Sequence, residues 1–408
     1  MAQAGQDDYK ALVCIFLFGG NDAYNMVIPD SSSEHDKYLA MRPGLAIGRN
    51  ELLPLGIASD NKVNLGLHPK MESLVPVFND GDATVIVNSG QLVEPIIGQN
   101  NVYPRFPEFL MAHNLQQEMW QSGAENMSDK FGWAGRMVEY MNLSGSLPPL
   151  FSLNGEQKWL RNNHVEPLVM PRTGVGTYSG LGSSHRIAGM IRHFDEQYDN
   201  LFTENYSLTI ANSYYQNEAL NEAFSAVGDL DGFPQSNLGD ALHTTAKLIS
   251  IRNDLSLKHS RQVFFVGLGG FDTHKNQANP HGELLKQVSD AMAAFHAEMK
   301  KQGISDNVTA FTMSDFGRRI MANDSGTDHG WAGHQLVVGG AVQGGRAYGN
   351  WPDLTPGSEY DYNNGRLIPE IAADQVNATL AQWFGYTGSL ETLFPSLVQF
   401  PDKTVPFL

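Results

Sequence analysis

The feature that most constrains this chain is a set of short apolar runs, four of the five leading straight into glycine or a Ser-Asp pair. They span 12–18, 84–87, 262–268, 308–313 and 335–338, and helical patterns separate them. Runs this short, rich in Val, Ile, Leu and Phe, read as parallel strands buried on both faces. Between them, 283–300 sets Leu284, Leu285, Val288, Met292, Phe295 and Met299 three and four residues apart, the period of a helix with one apolar face. A second helix is expected over 373–384, with Val376, Leu380, Trp383 and Phe384 on one side and Gly385 as its stop. Strands alternating with helices predict an α/β fold with a mostly parallel central sheet covered on both faces.

No repeat, linker or low-complexity segment divides the 408 residues, so 1–408 reads as a single domain. The span 155–260 is less periodic. It holds the turn-rich stretch TGVGTYSGLGSSH and two long helical patterns, 205–227 and 238–255, and is expected to be a helical insertion or cap.

Charge narrows the partners. The 44 Asp and Glu outweigh 27 Lys and Arg, a net −17 with no basic run, which argues against nucleic acid or an anionic membrane as the main partner. Such a balance suits a cation, provided some of the acids converge. A hydrophobic fraction of 41% with 17% charged residues excludes intrinsic disorder. The run 11–18 stops at Gly19-Gly20, well short of the ~18 apolar residues a membrane span needs. Cys14, the single cysteine, sits inside that run and reads as a core residue, so neither an internal disulfide nor a cysteine metal site is available. The opening residues Met1 to Gln6 resemble a mature or trimmed start.

In an open parallel sheet, ligands bind beyond the carboxyl ends of the strands. Here the first run is followed by Gly19-Gly20-Asn21-Asp22-Ala23-Tyr24-Asn25, and 262–268 by Gly269-Gly270-Phe271-Asp272-Thr273-His274. The run 308–313 leads into Ser314-Asp315-Phe316-Gly317-Arg318-Arg319, and the stretch Thr327 to His334 precedes 335–338. Three strand ends each deliver an aspartate, accompanied by His274, His329 and His334. Carboxylates and imidazoles on one edge suit a divalent ion or a pair of ions ~4 Å apart. Each aspartate alone is more often a turn former, and each histidine alone more often structural. Asp272 and His274 are stronger together, because residues two apart on an extended segment point the same way. Asp324, His281 and His35 rank well below them. Arg318 and Arg319 suit an anion or a surface salt bridge about equally. No G-x-S-x-G, H-E-x-x-H or Walker A pattern occurs, and the Gly-x-Gly pairs at Gly174 and Gly267 lack a third glycine.

The segments FLFGGNDAYNMVIP, GLHPKMESLVPVF, GGFDTHKNQ, MSDFGRRIMANDSGTDHGWAGHQLVVGGAVQGGRAYGNWP and GRLIPEIAADQVNATLAQWFG resemble the bacterial family called domain of unknown function 1501, within the alkaline phosphatase and sulfatase superfamily. The resemblance runs from Leu12 to Gly385. It implies an alkaline-phosphatase-like three-layer sandwich with metal at the strand ends. By that resemblance Asp22, Asp272, His274, Asp315 and His334 are the metal ligands, with His329 a further ligand or general acid. Two departures stand out. Phe316 occupies the place of a metal-binding histidine, which puts a second metal site in doubt. In Met111-Ala112-His113-Asn114, Ala112 stands at the nucleophile position, leaving Ser89 as a substitute hydroxyl or an activated water in its place. His329, Ser89 and His113 are therefore the catalytic candidates, and Asn25 and Arg318 the substrate-binding ones.

The resemblance implies an exported, metal-dependent hydrolase of a phosphate or sulfate ester, or of a related small-molecule or glycan anion. Zinc is the first choice of metal, with calcium, magnesium or manganese as alternatives. The periplasm or cell exterior is the expected location, since family members commonly carry an export signal. The alternative, motivated by Ala112 and Phe316, is a non-catalytic binding or assembly protein on a degenerate hydrolase scaffold.

Overall fold

The computed structural model describes residues 8–99, 103–125, 128–143, 147–176, 183–253 and 260–408. The opening residues 1–6, positions 177–182 of the turn-rich stretch and the last two residues of the helical pattern 238–255 lie outside them.

The apolar runs assemble into one sheet of eight strands among the described residues. In chain order these are β1 (Lys10–Phe18), β2 (Ala83–Gly90), β3 (Leu150–Ser152), β4 (Leu168–Val169), β5 (Arg261–Gly269), β6 (Val308–Ser314), β7 (Gly333–Val338) and β8 (Ile371–Ala372). Across the sheet they lie in the order β8-β2-β7-β6-β1-β5-β3-β4. The first strand is central, parallel to β5 on one side and β6 on the other. All pairings are parallel except those of β7, which runs antiparallel to both β2 and β6. The sequence pattern had placed 335–338 among parallel strands. The difference lies in the connection: no crossover helix follows β6, only the small hairpin Arg318–Ala322 with Thr327–His329, so the chain returns to the sheet from the edge where β6 ended. The start of β7 therefore shares an edge with the carboxyl ends of its neighbours.

Alternation within β1 sorts the core into two layers. Leu12, Cys14 and Phe16 join one apolar cluster, with Trp133, Met137, Val376, Leu380 and Phe384. Ala11, Val13, Ile15 and Leu17 join the other, with Leu242, Leu248, Leu285, Met292 and Phe295. The first face is covered by helices His113–Ser122 (α1), Trp133–Tyr140 (α2) and Ala373–Phe384 (α3). The second is covered by Asn237–Ser250 and Ala278–Lys301. The result is a three-layer α/β sandwich. Burying one Phe or Leu side chain is worth about 1.5–3 kcal/mol, so β1 with neighbours such as Phe264, Phe265 and Phe311 anchors the molecule. Burial also pushes the Cys14 thiol up, keeping it a neutral core group.

Helix α3 ends as its sequence predicts. Gly385 adopts φ 112°, left-handed, and its N–H closes onto the carbonyls of Ala381 and Gln382. Within 155–260 the parts differ. Asn237–Ser250 buries nine residues in the second layer and β4 pairs at the sheet edge. Helix Ser184–Phe194 buries none of its residues, and Leu201–Ala226 only four of 26.

Candidate metal centre

The carboxyl edge of β1, β5 and β6 gathers the expected residues, but not all in one place. Immediately after β5, the chain turns at Gly270 and presents Asp272 and His274. The hairpin beyond β6 brings His329 over them, and the first residue of α1, His113, closes the group from the opposite face. His113 Nε2 and His329 Nε2 approach to 3.0 Å, and His274 Nε2 lies 3.1 Å from His329 Nε2. The Asp272 carboxylate lies 2.9 Å from His274 Nε2, 3.3 Å from His329 Nε2 and 3.5 Å from His113 Nε2. One donor atom from each of His113, Asp272 and His329 lies within 4.8 Å of the others. Donors ~2.1 Å from a common tetrahedral ion would stand roughly 3.4 Å apart.

The far side of each ring decides what its Nε2 can do. His329 Nδ1 donates to the Met111 carbonyl at 2.9 Å. His113 Nδ1 donates to Asp315 Oδ2 at 2.6 Å, and His274 Nδ1 faces Asp328 Oδ1 at 3.4 Å. Carbonyls and carboxylates only accept, so His113 and His329 each carry their proton on Nδ1 and turn the Nε2 lone pair inward, whereas His274 has a carboxylate at both nitrogens, nearer at Nε2. Two lone pairs 3.0 Å apart repel. The arrangement is coherent with a cation among them. Burial also lowers the His329 pKa below its ordinary value, which favours the neutral ring a metal needs. Around Asp272, burial opposes ionisation, but the Arg318 guanidinium and the neighbouring histidines hold the carboxyl below its usual range. Asp328 is lowered in the same way, against its burial, by Asn323, His274 and Arg319.

Asp315 lies behind His113 and is fully buried. Its oxygens also accept from the Gly19 N–H at 3.1 Å and from Gln117 at 2.9 Å, so it orients His113 and does not face the other Nε2 atoms. Phe316, at the position of the missing histidine, packs its ring on His113 and His329 with centroids 4.7 and 4.6 Å away. Gly19 is required by close approach: at φ 116°, an added Cβ would fall 2.4 Å from the Asp272 amide nitrogen.

The remaining expected residues stand apart. Asp22, expected as a ligand, is fully buried and paired with Arg42 through both oxygens, and it also accepts from Gln277. Arg42 and the hydrogen bond outweigh the burial and lower its pKa. Asn25, expected at the substrate, lies in the same buried network, bonded to Tyr38, Arg42 and the Leu45 carbonyl. His334 carries the opposite tautomer to His113 and His329. Its Nδ1 accepts the Asn88 N–H at 3.1 Å, so its proton is on Nε2 and no lone pair is left for a metal there. Burial pushes it down to about 3. Ser89 donates to Gln335 Oε1 at 3.2 Å; with His334 it lines a separate cavity of about 20 Å³, room for a single water. Arg318, expected at an anion, is fully buried and spends its donors on Asp272 (2.7 Å), Thr327 and the Gly19 carbonyl.

Sequence reasoning did not single out Met111, Gln117 or Asp328. Met111 serves through its carbonyl, which no side-chain pattern reveals; its φ of 69°, unusual for a non-glycine, is the structural mark of that role. Asp328 sits next to His329 in the sequence, and that adjacency was the available signal.

Among solved structures, the chain is similar to the C-terminal periplasmic domain of EcEptC from Escherichia coli in complex with Zn, at 10% identity and TM-score 0.41, covering 96% of this chain and 87% of that one. It is also similar to the lipoteichoic acid synthase LtaP from Listeria monocytogenes, at 9% identity and TM-score 0.36, covering 97% and 78%. The PsFucS1 sulfatase from Pseudoalteromonas sp. follows at 9% identity and TM-score 0.34, covering 94% and 69%. No curated protein matches the sequence. The model of the family described as Protein of unknown function (DUF1501) matches residues 9–373, and the chain belongs to that family.

Proposed function

We propose that this protein is a metal-dependent hydrolase with one divalent ion held by His113, Asp272 and His329, and with His274 as the fourth donor. The observation behind this reading is the common tautomer of His113 and His329, whose Nε2 atoms meet 3.0 Å apart beside the Asp272 carboxylate. Nitrogen and carboxylate donors in a tetrahedral number suit zinc best, with calcium, magnesium and manganese less well matched. Asp22 and His334 are left out of the donor set for the reasons given above, so the reading is mononuclear. A bound divalent ion supplies a Lewis acid that polarises an ester oxygen and acidifies a water.

The residues do the rest. Asp315, Met111 and Asp328 keep the three rings aimed. Arg318 keeps Asp272 ionised and in place. Phe316 shields one flank of the histidine pair from solvent. No serine or threonine hydroxyl bonds to the cluster among the described residues, and Ala112 has none, so the nucleophile proposed is water. The substrate class proposed is a phosphate or sulfate ester, as the family resemblance of the strand-end motifs implies. The location proposed is the periplasm or cell exterior. No described helix is long and apolar enough to cross a membrane.

The test is a panel of phosphate and sulfate esters assayed with zinc-loaded protein. Hydrolysis is expected, abolished by a chelator and by His329→Ala. Ala112 favours a second reading, a non-catalytic binding protein that keeps the metal. Tight metal binding with no turnover across the panel would select it.

A further inference from the structure

Asp272 presents a problem that the metal centre does not solve. Its side chain is 46% exposed, so packing alone does not fix its rotamer. What holds it is Arg318, and Arg318 is fully buried with its own donors committed. The guanidinium gives Nη1 to Asp272 Oδ1 at 2.7 Å, Nε to Thr327 Oγ1 at 3.2 Å and Nη2 to the Thr327 carbonyl. Thr327 Oγ1 donates to Gln277 Oε1 at 2.7 Å, and Gln277 Nε2 donates to Asp22 Oδ2. Asp22 is clamped on its other side by Arg42. Arg318, Thr327, Gln277 and Asp22 are all fully buried.

The direction of these bonds is forced. Asp22 only accepts, so Gln277 turns its amide nitrogen to it and its oxygen to Thr327. The hydroxyl must then give its one proton to Gln277 and accept from Arg318. Arg318 donates both ways, to Asp272 on one side and to Thr327 on the other, and from Arg318 onward every hydrogen points toward Asp22, the arrangement in which successive bonds polarise one another.

We propose that Arg318, Thr327 and Gln277 form a hydrogen-bond relay, anchored on the buried Asp22–Arg42 pair, that positions Asp272 for the metal. They are positioning residues and touch neither ion nor substrate. This gives Asp22 a role: it is the far anchor of a ligand it does not itself supply. The proposal rests on the metal-centre reading above.

Thr327 is the point to cut, because valine replaces its hydroxyl with a methyl of nearly the same shape and serine puts the hydroxyl back. The experiment is a calorimetric titration of the metal-free full chain with zinc, run on wild type, Thr327→Val, Thr327→Ser and Gln277→Met, with thermal unfolding recorded in parallel. Outer-sphere partners typically contribute 10–100-fold to metal affinity. Thr327→Val is expected to weaken zinc binding by about 10-fold or more, Gln277→Met similarly, and Thr327→Ser to stay within about threefold of wild type. A purely structural role would lower the unfolding temperature and leave the dissociation constant unchanged. Should Thr327→Val fail to fold, Gln277→Met carries the test. Wild-type binding with unchanged affinity in the folded variants overturns the relay alone; absence of zinc binding in wild type overturns the metal-centre reading instead.

Discussion

Two histidines a few residues apart, the half-buried His329 and the buried His334, carry their protons on opposite nitrogens, and the difference lies in one neighbour each. A carbonyl faces Nδ1 of the first; a backbone N–H faces Nδ1 of the second. The first is thereby free to offer Nε2 to a metal, and the second is a structural donor. Two outcomes follow at this scale. Asp315→Asn should lower zinc affinity by about 10–100-fold, because the amide no longer holds His113 with a full charge; a calorimetric titration reads it. His334→Ala should lower stability by about 2–4 kcal/mol, measured by urea unfolding, and leave zinc affinity within about twofold of wild type. Affinity lost with His334 would return that residue to the donor set. The aspartates and histidines were legible in the sequence because they follow strands. Their division into candidate ligands and supports was not, since for His113 and His329 it depends on which atom faces Nδ1 across 200 or more residues.

At the scale of elements, turns decide where ligands arrive. Gly19 lets the end of β1 pass against Asp272, with no room for a methyl group. Gly19→Ala should therefore displace Asp272 and weaken zinc binding sharply, beyond the 1–3 kcal/mol of stability that backbone strain alone costs. Gly385→Ala supplies the contrast. It stands at the left-handed stop of α3, remote from the metal centre, and should cost about 1 kcal/mol in urea unfolding with zinc affinity unchanged. Long strands and the helices over Ala278–Lys301 and Ala373–Phe384 were readable from period and glycine stops. The two- and three-residue strands β3, β4 and β8 were not, because so few residues carry no period. Nor was the reversal of β7, since an apolar run buried on both faces reads the same in either direction.

For the whole molecule, buried neutral histidines tie stability to pH. Burial pushes His334 down to about 3 and His68 and His281 to about 4, from an ordinary 6.5. Below about 6.5 the unfolded chain takes up protons that the folded chain refuses until about 4 or 3. The unfolded state then binds more protons, so stability falls as pH falls through that window, by up to about 1.4 kcal/mol per pH unit for each histidine. Urea unfolding of chelator-treated protein at pH 7, 6 and 5 should show this loss. A flat profile would mean that these rings are open to solvent. The net charge of −17 pointed toward a cation, yet most of the acids lie elsewhere, and among the described residues Asp272 is the one carboxylate at the meeting point of the imidazoles.

The account stands or falls on whether that meeting point binds a metal. Titration of chelator-treated full-length protein with zinc, checked by elemental analysis after dialysis, measures this directly. One equivalent per chain is predicted, lost in His113→Ala and His329→Ala. No retained zinc in wild type, or one equivalent that survives both substitutions, would contradict it.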